Sequence, residues 1–321
     1  MNARMRFAID GGGTTTRLAI AGPYASTAEP VVLGSMNPAS VRRDEAVALL
    51  RSAIHQVSEY ALKNDDAAVD GVIASAAISR HTIGSWAALL AEVLNEHRVT
   101  GDVVLTNDID GLALAPPVGG CGGVLVAGTG SGALVVTEDG RSHRIGGWEY
   151  LASDEGSAFW LGRRALAAAV RAADGRGQPT AMVARIEARI GGSLGDVTRQ
   201  VAELPHPRQV VADLARCVTA AWLEDRDAVA TELVHAALDE LVLLTTVGAR
   251  RAGGAQRTWA LTGGLVIECD AFAHALTNRL ETTAPETDVH VVAEPVCALL
   301  DSPTTTGHWP GLVRRIVTAR T

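Results

Sequence analysis

Hydrophobic and polar positions change rhythm several times along the chain, and each change marks an element. Short apolar runs bounded by Gly, Pro and Thr predict strands at Phe7–Ile9, Leu18–Ala21 and Pro30–Leu33, a three-stranded antiparallel start. From 44 to 62, Val47, Leu49, Leu50, Ile54, Val57 and Leu62 follow a mostly helical period behind Asp44, a candidate N-cap. Short apolar runs at 71–75 and 102–106 flank a helical stretch over 86–97, the alternation of parallel βαβ units. Pro116-Pro117 and the glycines behind it break the pattern. The expected division is an N-terminal α/β lobe over 1–115, joined by 304–321, and a larger helix-rich lobe over 116–303. In the second lobe 155–182 and 209–251 are helical in period, 259–267 and 289–292 extended, and 312–317 a last helix.

Two of the turns share a layout. Asp10-Gly-Gly-Gly-Thr-Thr-Thr16 joins the first two strands, and Gly128-Thr-Gly-Ser-Gly132 joins a strand pair at the head of the second lobe. Glycine lets such backbone approach a ligand closely, and Thr and Ser add hydroxyl donors. A third segment, Leu261-Thr-Gly-Gly-Leu265, reads as a strand-to-helix turn with room for a flat ring. The two lobes thus look like variants of one unit.

Composition narrows the chemistry. The 321 residues carry a formal charge of −8, which argues against a nucleic-acid partner. Cys121, Cys217, Cys269 and Cys297 lie far apart, without metal-ligand spacing, and fit reduced thiols in a cytoplasmic protein. No run approaches the ~20 apolar residues of a membrane span, so no membrane partner is expected. Lys63 is the only lysine. A P-loop needs a lysine inside its glycine turn, so nucleotide phosphates here require another grip: backbone amides and hydroxyls of facing turns, with a divalent cation. Asp10, at the end of the first strand, is placed to hold that cation.

In this order the three glycine segments resemble the phosphate 1, phosphate 2 and adenosine motifs of the actin-like ATPase and sugar kinase superfamily. Gly146-Gly-Trp-Glu-Tyr-Leu-Ala-Ser-Asp-Glu-Gly-Ser-Ala-Phe-Trp160 is similar to a segment of N-acetylglucosamine kinases and the related BadF/BadG/BcrA/BcrD-type ATPases. The resemblance is closest to actinobacterial glucosamine kinases, whose Arg- and Ala-rich composition the chain shares. It implies an α/β actin-like (ribonuclease H-like) fold of two similar lobes with a nucleotide cleft between them, and ATP and Mg²⁺ as cofactors.

Residue by residue, the resemblance implies nucleotide contacts from Gly12, Gly13, Thr14, Thr15, Arg17, Gly128, Thr129, Gly130, Gly263 and Gly264, with metal near Asp10 and Asp108. In Thr106-Asn-Asp-Ile-Asp-Gly111, Asp108 matches the aspartate that acts on the sugar hydroxyl, with Asp110 as its competitor. Asn37, Ser79, Arg80, Trp148, Glu149 and Asp154 are the remaining substrate candidates, while Trp160 reads as core. Where N-acetylglucosamine kinases carry an asparagine near the acetamido group, this chain has Gly132. The carboxylates Asp110, Glu149 and Asp154 suit a protonated 2-amino group. Glucosamine, phosphorylated at its 6-hydroxyl, is therefore the expected substrate. The alternatives are an N-acetylglucosamine kinase and a BadF-type ATPase activator, and a homodimer is an open expectation.

Overall fold

Large and small apolar residues alternate along the first strands, so one sheet face receives thick helices and the other a close one. A computed structural model describes residues 4–13, 15–22, 29–38, 41–63, 68–148, 150–204, 207–254, 256–302, 304 and 313–318. Its backbone divides into two units: Met1–Gly122 with Val136–Ser142 and Glu294–Thr321, and Gly123–Val135 with His143–Ala293.

The first unit is a six-stranded sheet. β1 (Met5–Gly11) pairs antiparallel with β2 (Thr16–Ala21), which pairs with β3 (Val31–Leu33), the antiparallel start expected from the sequence. On the other side of β1 run β4 (Val69–Ser75) and β5 (Gly101–Thr106), both parallel to it in sequence of pairing. Helices α1 (Arg43–Lys63) and α2 (Ile83–Glu96) bury Leu50, Ile54, Val57, Leu90 and Leu94 with Phe7, Ile9, Leu18 and Ile73. Asp44 lies in the first turn of α1 rather than at its cap. The opposite face offers Ala8, Ala19, Val72 and Ala74, small enough for α12 (Pro295–Leu300) to settle through Val296, Leu299 and Leu300. Also in this unit, α3 (Asp108–Leu114) is drawn close at Gly111, where a Cβ would lie 2.7 Å from that of Ala74.

One sequence expectation fails at the end of this unit. Instead of a last helix, Val313–Thr318 form a strand, β11, antiparallel to β5. Arg315 reaches Asp102 across that pair at 2.8 Å. The apolar residues of Val313-Arg-Arg-Ile-Val-Thr318 follow a helical spacing; pairing with the edge of β5 decides for a strand.

In the second unit the sheet order is β10-β9-β6-β7-β8, formed by β6 (Gly122–Ala127), β7 (Ser131–Val136), β8 (Ser142–Gly146), β9 (Thr258–Thr262) and β10 (Asp288–Val291). Read from the other edge, this repeats the β3-β2-β1-β4-β5 order of the first sheet, so the similarity read from the turns extends to topology. Each sheet also sets an aromatic ring over a paired glycine: Phe7 over Gly71, and Trp259 over Gly123. The helices of this unit are α4 (Ala158–Ala173), α5 (Met182–Ile190), α6 (Leu194–Glu203), α7 (Pro207–Asp213), α8 (Ala215–Leu223), α9 (Ala228–Arg251), α10 (Gly264–Ile267) and α11 (Asp270–Thr283). Sequence periodicity had not separated α5, α6, α11 and β8. Trp160 is buried in this core, as expected.

Candidate active site

Strand β1 delivers Asp10 and Gly11 to the end of the first sheet. Gly11 must lack a side chain, because a Cβ there would stand 2.7 Å from Oγ of buried Ser75. Of the turn that follows, Gly12 is half-buried and Gly13 and Thr15 are exposed, while Thr14 lies outside the described residues. Ser35, which the sequence did not single out, donates to the Gly13 carbonyl at 3.3 Å and accepts the Asn37 amide at 3.1 Å. Asn37 is thereby tied to the glycine turn. Ser79 and Arg80 are exposed after β4, and Ser79 bonds within its own loop to Thr82.

The β5-to-α3 junction carries the acid. Asn107 caps α3 by accepting the Ile109 amide at 3.3 Å, and its own amide donates to the Ile78 carbonyl at 2.9 Å. Asp108, the first helical residue, is half-buried, whereas Asp110 is only 2% exposed. Burial pushes Asp10 up to about 7, and the Asp108 carboxylate adds to that. Arg17, its β2 partner in register, acts in the opposite sense, and Glu294 at the start of α12 raises it further. Glu294 escaped sequence reasoning because it lies at the far end of the chain.

Carboxylates crowded against their own charge suit a hard cation. Among the described residues no three His, Cys, Asp or Glu side chains form a metal cage. That is compatible with Mg²⁺, which usually keeps several waters and takes one or two carboxylates plus substrate phosphates. Asp10 and Asp108 are the residues that would hold it.

In the second unit the Gly128–Gly132 turn is clasped by the segment that follows β8. The amides of Ala158 and Phe159, in the first turn of α4, donate to the Gly128 and Thr129 carbonyls at 2.9 and 3.3 Å. Ser131 donates its amide to Asp154 at 3.3 Å and its hydroxyl to the Glu155 carbonyl at 2.6 Å. Ser157 caps α4. With its carbonyls so bound, the turn can present amides to an anion. Gly263, at φ 103°, lies against the same turn: a Cβ there would be 2.6 Å from the Gly128 nitrogen. Gly264 begins α10 directly after it.

Asp154 is 3% exposed and ion-paired with Arg208 at 2.7 Å. It therefore braces the turn, and its charge is compensated before any substrate arrives. Asp110 is likewise sunk in α3, so neither offers the open carboxylate expected of it for an ammonium group. Trp148 is 79% exposed, free to receive a sugar face. Glu149 lies outside the described residues. Gly132 is buried, with its missing Cβ 3.4 Å from the Gly147 backbone.

The profile of the BadF/BadG/BcrA/BcrD ATPase family matches residues 8–298. An N-acetylmuramic acid/N-acetylglucosamine kinase of Clostridium acetobutylicum is 27% identical over 237 residues, 73% of this chain and 76% of that protein. A glucosamine kinase of Vibrio cholerae is 26% identical over 167 residues, 52% of this chain and 55% of that one. Among solved structures, a candidate N-acetylglucosamine kinase from Chromobacterium violaceum superposes with a TM-score of 0.69 at 20% identity, covering 94% of this chain and all of that one.

Proposed function

Because the chain belongs to the BadF/BadG/BcrA/BcrD ATPase family and has its two-lobed actin-like fold, we propose that it phosphorylates an amino sugar with ATP, glucosamine to glucosamine 6-phosphate being the preferred reaction. The observation that carries the kinase reading is the pair of electrostatically coupled carboxylates, Asp10 and Asp108, at the ends of β1 and β5.

The sugar hydroxyl oxygen attacks the γ-phosphorus in line as the bond to the ADP oxygen breaks, and the hydroxyl proton passes to Asp108. The candidate sugar contacts are Asn37, Ser79 and Arg80 in the first unit and, separately, Trp148 in the second. The Gly12–Thr15 turn and Arg17, and separately Gly128–Gly130, supply phosphate donors, with the adenosine against Gly263 and Gly264. Mg²⁺, when bound, neutralises phosphate charge. Asp108→Asn is expected to lower kcat by roughly 10²–10⁴; a variant of near-normal activity removes Asp108 from this role.

Gly132 supports free glucosamine, since no side chain is present to hold an acetamido group. One observation favours the second reading, N-acetylglucosamine: Asp154, the carboxylate expected to meet an ammonium group, is already paired to Arg208. ADP release measured with glucosamine, N-acetylglucosamine, N-acetylmuramic acid and glucose decides between them. The highest kcat/KM with glucosamine is expected, and a preference for N-acetylglucosamine replaces the first reading by the second.

A further inference from the structure

We infer that Arg208 is the fixed cation of the second glycine turn and contacts the phosphoryl group of ATP as it transfers, a role that rests on the kinase reading above. Three contacts hold its guanidinium in place. Its Nη2 donates to Asp154 at 2.7 Å, and the same Asp154 binds the Ser131 amide. The ring of Tyr150 lies 5.3 Å beneath it. A Cβ on Gly130 would stand 2.8 Å from Nη2 and 2.7 Å from Oδ2 of Asp154, so the ion pair rests directly on the tip of the turn. The helix that carries it, α7, is itself fixed: Gly162 of α4 lies so close to the Val211 carbonyl that any Cβ would collide with it.

The placement answers a charge problem. The sole lysine, Lys63, ends α1 and belongs to the first unit. Backbone amides alone supply partial charges, whereas a guanidinium braced on Asp154 still has charged N–H donors to turn toward the negative charge that spreads over the equatorial oxygens. Arginine suits the position better than lysine because its planar fork keeps Asp154 while meeting a second oxyanion. At 29% side-chain exposure the group is accessible yet partly withdrawn from water, which strengthens its field.

The test compares wild type, Arg208→Gln and Arg208→Lys by calorimetric titration with ATP and with AMP, and by steady-state kinetics. In Arg208→Gln the ATP-to-AMP affinity ratio is expected to fall roughly 10–100-fold and kcat/KM by roughly 10²–10³. Arg208→Lys should recover part of both. AMP affinity near the wild-type value reports an intact fold. An unchanged ATP-to-AMP ratio overturns the inference, even if activity falls, and so does an equal fall of that ratio in Asp154→Asn, which loses the ion pair bracing the turn but keeps the cation. If wild type releases no ADP with any amino sugar, the kinase reading fails separately, and the ratio still decides Arg208.

Discussion

The side-chain amide of Asn107 donates to the Ile78 carbonyl at 2.9 Å, fastening the start of α3 to the loop that follows β4. Because Asp108 is the next residue, this bond sets where the acid stands. Asn107→Ala removes both the cap and the donor and should cost about 1–2 kcal/mol of stability, with kcat reduced as well. Asn107→Asp keeps a capping acceptor but turns a carboxylate toward a carbonyl, so it should not rescue. Thermal melts beside ADP-release kinetics check both; Asn107→Asp behaving as wild type would show that the donor is dispensable.

Asp10 links pH to stability with a definite sign. Burial holds its carboxyl near 7 when folded, against an ordinary value of 3.8, so the folded state retains a proton that the unfolded state gives up. Stability is therefore lost as pH rises from about 4 through about 7. Asp10→Asn is neutral at every pH, and should melt higher than wild type near pH 8 and converge with it below about pH 4, in metal-free buffer. It should also lose Mg²⁺-dependent activity. A gap between the two melting curves that stays constant with pH contradicts this.

Gly132→Asn tests the specificity reading. The first atom of the new side chain would sit 3.4 Å from Gly147, an ordinary contact, so the substitution fits at its root. The N-acetylglucosamine-to-glucosamine ratio of kcat/KM should rise roughly 10-fold. No change in that ratio would remove position 132 from substrate choice.

Gly263→Ala meets backbone rather than side chains. Its φ of 103° disfavours any Cβ, and that atom would lie 2.5 Å from the Ala127 carbonyl carbon. Strain and overlap together should cost about 2–4 kcal/mol and weaken nucleotide binding, measured by denaturant melts and ATP titration. Full stability in this variant would refute the close approach of β9 to the Gly128 turn.

Much of this organisation was legible beforehand. The strands β1, β2, β4, β5, β6 and β7 and the helices α1 and α9 declare themselves by local period, and the glycine turns by composition. Asp108 was singled out through its motif and is found at the head of a capped helix. The motif around Asp154 was legible too, but its work was not. A segment read as sugar-binding proves to grip the Gly128–Gly132 turn through Asp154, Glu155, Ala158 and Phe159.

The sequence by itself determined the repeated strand-turn-strand unit and the absence of lysine from its glycine turns, because hydrophobic period, glycine placement and missing residue types are local properties. Tertiary structure alone decided that residues 313–318 extend a sheet, that Glu294 bears on Asp10, and that Arg208 neutralises Asp154 from 54 residues away. An unpaired strand edge, a buried charge and an ion pair each depend on what the chain brings near, and no window of sequence contains both partners.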